Sequence, residues 1–220
     1  MMFFEEIIQR FKQVFKKLHN VEFTNQSVQS CKDLYDLCLK KSPDKIIEIG
    51  TNYGASTISF AKAFKDLGKP LDSILTFDIS HEFWIRSQEL FSDILMRENI
   101  DISLIKYVSK DFNTLNPEEI ITSDKTLLFY DIHDHKGPWS QKLVSRWVPL
   151  LNGTTVVHDI TEVDENFEII KDEKSPRSKA MHFSGRYFAG FNECERIIKW
   201  ANEHNVNLGI ICGGVYFDVN

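Results

Sequence analysis

Near the N-terminus, Phe3, Ile7, Phe11, Val14, Phe15 and Leu18 recur at steps of three and four residues. That spacing lays one apolar stripe along a helix and predicts helix over 3–19. A second helix is expected after Thr24-Asn25, from Gln26 to Leu39, with Ser42-Pro43-Asp44 ending it. From Lys45 the pattern changes. Short β-branched runs alternate with amphipathic stretches, predicting strand 45–49, helix 55–67, strand 73–78, helix 81–97 and strand 102–108. A short helix 117–122, strand 126–131, helix 138–148 and strand 154–158 follow. The segment 161–186 is charged and rich in Ser, Pro and Gly, and reads as a long irregular loop. Helix 190–204 comes next. Asn207 to Cys212 and Val215 to Val219, on either side of Gly213-Gly214, close the chain as a hairpin.

Strands that alternate with helices predict an α/β fold: a doubly wound, mostly parallel seven-stranded sheet, Rossmann-like, with an antiparallel C-terminal hairpin. Residues 1–42 read as N-terminal helices that pack on the core or on a partner subunit, and 43–220 as the main domain. No internal repeat breaks that reading.

Composition narrows the class. With 42% apolar residues over 220 positions, the chain is long and apolar enough for one sizeable core. A formal charge of −6 argues against general nucleic-acid binding, which needs clustered Lys and Arg. Cys31, Cys38, Cys194 and Cys212 form no C-x-x-C pair and are expected as buried free thiols, which suggests a reducing compartment. Met1 to Phe4 run straight into Glu5 and Glu6, unlike a signal peptide, and no apolar run is long enough to span a membrane. The cytoplasm is the expected location.

Candidate chemistry gathers at the C-terminal ends of the strands, where ligands sit in open α/β sheets. The first strand leads into Glu48-Ile49-Gly50-Thr51-Asn52-Tyr53-Gly54-Ala55-Ser56. Gly50 allows a sharp turn and a close ligand approach, and Gly54 opens a helix whose first N–H groups point into the same crevice. The second strand ends at Asp78, placed either to accept from ribose hydroxyls or to cap the next helix. The third ends at Asp111-Phe112, read either as an adenine contact or as a solvated turn. The fourth ends in Tyr130-Asp131-Ile132-His133-Asp134-His135, and the fifth in Val157-His158-Asp159. Neighbouring parallel strands lie about 4.8 Å apart, so Asp131, His158 and Asp159 are candidates to share one ion. Carboxylates with one imidazole suit Mg²⁺, Mn²⁺ or Ca²⁺ better than structural zinc. His158 and Asp159 also fit a simple loop cap.

This order of motifs resembles a class I S-adenosylmethionine-dependent methyltransferase from Lys45 to Asn220. The stretch from Leu128 to Ile160, with Tyr130-Asp131, His135, Leu150-Leu151-Asn152-Gly153 and Val157-His158-Asp159-Ile160, is similar to the metal-dependent macrocin and cephalosporin-biosynthesis O-methyltransferases. Two departures stand out. Asp-Ile-His-Asp-His replaces the usual Asp-Gly-Asp-His, and Asn152-Gly153 replaces two glycines. The resemblance implies that Glu48, Gly50, Thr51 and Gly54 surround the methionine part of S-adenosylmethionine, with Ser56 near its carboxylate. Asp78 would hold the ribose and Asp111 the adenine, with Asp131 also bordering the cofactor. Asp131, His158 and Asp159 would hold the metal, and His135 or, second, His133 would take the acceptor's proton, although both also fit a surface loop.

The expected activity is O-methylation of a small hydroxylated molecule, a sugar or natural product, with no nucleic-acid or membrane partner. Lys174, Arg177, Lys179, His182 and Arg186 are read as a lid over an anionic or sugar-like acceptor or as a solvated loop. Two other readings compete: a nicotinamide-dependent oxidoreductase, disfavoured by the missing G-x-G-x-x-G, and a non-catalytic binding module of the same fold.

Overall fold

Ile46, Ile47 and Ile49 are at most 2% exposed, and Leu127, Leu128, Phe129 and Tyr130 are fully buried. Such near-continuous apolar strands belong inside a parallel sheet covered on both faces. A computed structural model describes residues 2–19, 25–132, 139–158, 166 and 187–219. Its strands are β1 (Lys45–Ile49), β2 (Ile74–Asp78), β3 (Lys106–Ser109), β4 (Thr126–Tyr130), β5 (Gly153–His158), β6 (Leu208–Ile211) and β7 (Gly214–Val219). They form a seven-stranded sheet in the order β3-β2-β1-β4-β5-β7-β6. The α/β architecture with an antiparallel C-terminal hairpin is the expected one. The chain forms two compact units, Met1–Leu115 and Asn116–Asn220.

In the first unit β1, β2 and β3 pair in parallel, Ile49 opposite Phe77 and Asp78 opposite Ser109. The crossovers are α3 (Ala55–Asp66) and α4 (His81–Arg97). The N-terminal helices α1 (Met2–His19) and α2 (Asn25–Lys41) pack in this same unit. Phe4, Ile8 and Cys31 form a small core with Phe3, Val28, Tyr35 and Ala55, the first residue of α3. Ion pairs fasten the outside of that packing: Arg10 bonds Asp93 of α4, and Arg97 reaches Glu6 of α1 at 2.6 Å.

In the second unit β4 and β5 pair in parallel, while β7 runs antiparallel to both β5 and β6. The helical pieces are α5 (Pro117–Ile120), α6 (Trp139–Lys142) and α7 (Tyr187–Glu203). Two glycines are required by close backbone approach. A Cβ on Gly153 would lie 2.0 Å from the Thr126 carbonyl oxygen, and one on Gly214 2.2 Å from that of Val157.

Two elements differ from the sequence reading. Strand 102–108 shortens to β3 because the Asp101 side chain accepts from the Ser103 N–H at 3.0 Å and winds 102–104 into a tight turn. Helix 138–148 splits: after α6, Leu143–Trp147 winds as a wider π turn and Val148–Leu150, with Pro149, as a 3₁₀ turn. Cys31, Cys38 and Cys194 are buried free thiols, as expected, and Cys212 is partly exposed. Burial pushes the Cys38 thiol up to about 12, which leaves it inert. No helix among the described residues is long and apolar enough to cross a membrane.

Candidate functional site

The link between β1 and α3 is held in shape by its backbone. Gly50, Asn52 and Gly54 all have positive φ, at 98°, 48° and 77°. Glycine and asparagine tolerate that region, and here it folds the loop back on the tip of β2. The N–H groups of Gly50 and Thr51 both donate to the Phe77 carbonyl, at 2.9 and 3.3 Å. Asp78 then reaches over from β2. Its Oδ2 accepts from the Asn52 N–H at 2.8 Å and its Oδ1 from the Ser80 N–H at 3.1 Å. The carboxylate supports the segment leading into α4, and its partly exposed oxygens border the glycine loop.

Beneath the loop lies Glu48, with no exposed surface. Ser56 donates its hydroxyl proton to Oε1 at 2.5 Å, and Thr57 and Thr76 donate theirs to Oε2, also at 2.5 Å. Thr76 is hydrogen-bonded in turn to the Thr51 hydroxyl. Thr57 and Thr76 went unnoticed in the sequence. The available signal was Glu48 itself: a carboxylate within an apolar strand must find donors when buried.

At the outer strand of this unit, the Tyr107 ring lies 5.2 Å from the His81 ring and stacks on Trp84 at 5.4 Å. Burial, and then the Asp78 charge, push the Tyr107 hydroxyl up to about 12, so it stays a neutral donor at working pH. Asp111 is exposed, and its carboxylate accepts from the Asn113 N–H at 2.7 Å, starting a turn. Phe112, expected beside an adenine ring, is a core residue.

In the second unit, the β4–β5 register that sets Tyr130 opposite Val157 brings the next residues together. His158 Nδ1 lies 3.4 Å from Asp131 Oδ2, with the side chains 14% and 24% exposed. The Phe129 ring sits 5.4 Å from the imidazole, tilted by 41°. A carboxylate and an imidazole at this distance can share a proton or a cation. The third expected ligand, Asp159, lies outside the described residues, as do His133, His135 and the basic positions 174–186. Among the described residues no three His, Cys, Asp or Glu side chains cluster to hold a metal.

Comparison with known proteins identifies the family and the fold. Residues 47–160, just over half of the chain, match the family model described as "Methyltransferase domain". No curated protein sequence matches significantly. Among solved structures, the chain resembles a Podospora anserina methyltransferase bound to S-adenosylhomocysteine, with TM-score 0.59, 13% identity, and 98% of this chain and 88% of that one covered. It also resembles a Bacillus cereus O-methyltransferase in complex with S-adenosylhomocysteine, with TM-score 0.58, 16% identity, and 100% and 90% covered. A Streptomyces achromogenes O-methyltransferase of tomaymycin synthesis, in complex with S-adenosylmethionine, gives TM-score 0.53, 15% identity, and 95% of each chain covered. At these identities the likeness is one of fold.

Proposed function

The chain belongs to the methyltransferase-domain family and is an S-adenosylmethionine-dependent methyltransferase, and on that premise we propose that it methylates a hydroxyl oxygen of a small molecule with the help of a divalent cation. The observation that carries the cation part is the Asp131–His158 pair, two donors of the right chemistry 3.4 Å apart. Asp159, next in sequence to His158, is the third ligand of this proposal.

S-adenosylmethionine supplies an electrophilic methyl group on its sulfonium. The protein's task is then to align donor and acceptor, and a positioned reactant pair gains ~7–11 kcal/mol over one that must meet by diffusion. Gly50, Thr51 and Gly54 line the loop that would take the methionine part. The Asp78 oxygens keep lone pairs for ribose hydroxyls beyond the two backbone bonds they accept. Asp111 would meet the adenine. A divalent cation held by Asp131 and His158 would lower the pKa of the acceptor hydroxyl and fix its oxygen. His135, with His133 second, is proposed to take the proton. The acceptor is proposed to be a sugar or natural-product hydroxyl, free of nucleic acid and membrane. The free cysteines support a reducing compartment such as the cytoplasm.

The test is incubation with methyl-labelled S-adenosylmethionine and panels of sugars, catechols and polyketides, with Mg²⁺ or with excess chelator. Label on oxygen that disappears with chelator is expected. Full transfer in chelator would remove the cation, and label only on nitrogen, RNA or protein would remove the small-molecule O-methyl assignment.

A further inference from the structure

We propose that Glu48 is a positioning residue that sets cofactor affinity without touching the cofactor, acting through a directed chain of hydroxyl protons. This rests on the methyltransferase reading above. It departs from the role the family resemblance implied, in which Glu48 itself borders the methionine part.

The direction of the chain follows from proton counting. A carboxylate accepts only, and a hydroxyl has one proton to give. Ser56, Thr57 and Thr76 all donate to Glu48. Thr76 has therefore used its proton, and in its contact with Thr51 it must be the acceptor. The order is Thr51 to Thr76 to Glu48. Thr51 is buried, and its inward-pointing hydroxyl fixes the residue that directly follows Gly50. Ser56 and Thr57 fix the first turn of α3 from the same carboxylate. One buried carboxyl group thus ties β1, β2, the glycine loop and the start of α3 into a single arrangement. Glu48 has no exposed surface with which to face a ligand directly. What it controls is the shape of the loop that the ligand meets.

The side chain's two accepting oxygens, and not its bulk, are what order the chain. A glutamine amide at 48 would present two N–H donors where hydroxyl protons now point, so at least one hydroxyl would have to reverse. If Glu48 acts this way, removing a hydroxyl far along the chain should have the same effect as replacing an accepting oxygen of Glu48. Thr76 is the informative partner because it lies in β2, fully buried.

The experiment is calorimetric titration of S-adenosylhomocysteine into the full chain and the variants Glu48→Gln, Thr76→Val, Thr76→Ser and the double variant Glu48→Gln with Thr76→Val. The folded fraction of each is set by circular dichroism. Glu48→Gln and Thr76→Val should each weaken binding by on the order of tenfold, from disturbed buried hydrogen bonds. Thr76→Ser, which keeps the hydroxyl, should bind like the parent. The double variant should bind no worse than the weaker single, because both act through one chain. In turnover, the loss should fall on KM for the cofactor with kcat largely kept. Wild-type affinity in Thr76→Val beside a loss in Glu48→Gln, or additive losses in the double variant, would mean that Glu48 acts on the ligand itself and would overturn the proposal. If Glu48→Gln does not fold, the Thr76→Val and Thr76→Ser pair decides alone: loss with rescue supports the chain, and no loss overturns it. An unmodified protein that fails to bind S-adenosylhomocysteine would overturn the functional reading and the inference together.

Discussion

The two polar groups at the strand ends are built in opposite ways. Around the β1–α3 loop, Glu48 is fully buried among three donating hydroxyls at 2.5 Å, and Asp78 receives two backbone N–H groups. At the ends of β4 and β5, Asp131 and His158 are partly exposed and stand at 3.4 Å. The first arrangement is set by the protein's own donors and acceptors. The second is longer than an ordinary hydrogen bond and leaves room for a shared ion or a shifting proton. Under the proposed function the first group would support the surface that meets the cofactor, and the second would face the acceptor.

Breaking the second group should have the larger effect on turnover. Asp131→Asn keeps the shape and removes the charge, and it should cut methyl transfer by on the order of 10–100-fold with S-adenosylhomocysteine affinity retained. Added Mg²⁺ or Mn²⁺ should recover part of the loss. An Asp131→Asn enzyme that loses cofactor affinity in calorimetry while keeping kcat would reverse the comparison.

Asp78→Ala acts on the first group. It removes an acceptor from the Asn52 and Ser80 N–H groups and from the proposed ribose contact. Cofactor affinity should fall by roughly 1–3 kcal/mol. Thermal stability should fall too, because two backbone donors lose their partner. A folded variant with unchanged affinity by calorimetry would take Asp78 out of the site and leave it as a helix-lead support.

The smallest effect should come from neither group, which makes it a control. Asp93 lies on the surface, and its hydrogen bond from Arg10 holds its carboxyl down to about 2. The unfolded value is near ~3.9, so this pair's contribution is complete above that pH and fades as pH falls toward about 2. Comparing thermal midpoints of the parent and Asp93→Asn from neutral to acid should show a small gap at neutral pH that closes below ~4. Salt should also shrink it. A gap that widens in acid would contradict the sign.

Much of this could be read along the chain. The β-branched runs at 45–49 and 73–78 and the amphipathic run at 81–97 are local signals, and β1, β2 and α4 fall within a residue of them. Turn chemistry was harder to see. Asp101 and Pro149 redirect their segments through single side chains that periodicity does not weigh. Gly50, Gly54 and Asp78 were legible because a turn, a helix start and a strand-end acid have short, fixed spacing.

The sequence by itself determined the alternation of strands and helices, the free thiols and the polar residues at the strand ends. These depend on neighbours a few positions apart. Only the tertiary structure decided that β7 sits between β5 and β6, since strand order is a long-range choice that leaves no local mark. Only it brought together Glu48, Ser56, Thr57 and Thr76, which span 28 positions, and so turned a buried charge into a support. It also brought Asp131 to His158 through strand register. The physical reason is the same throughout. Secondary structure answers to local spacing, while a buried charge must be matched by donors wherever in the chain the fold can find them.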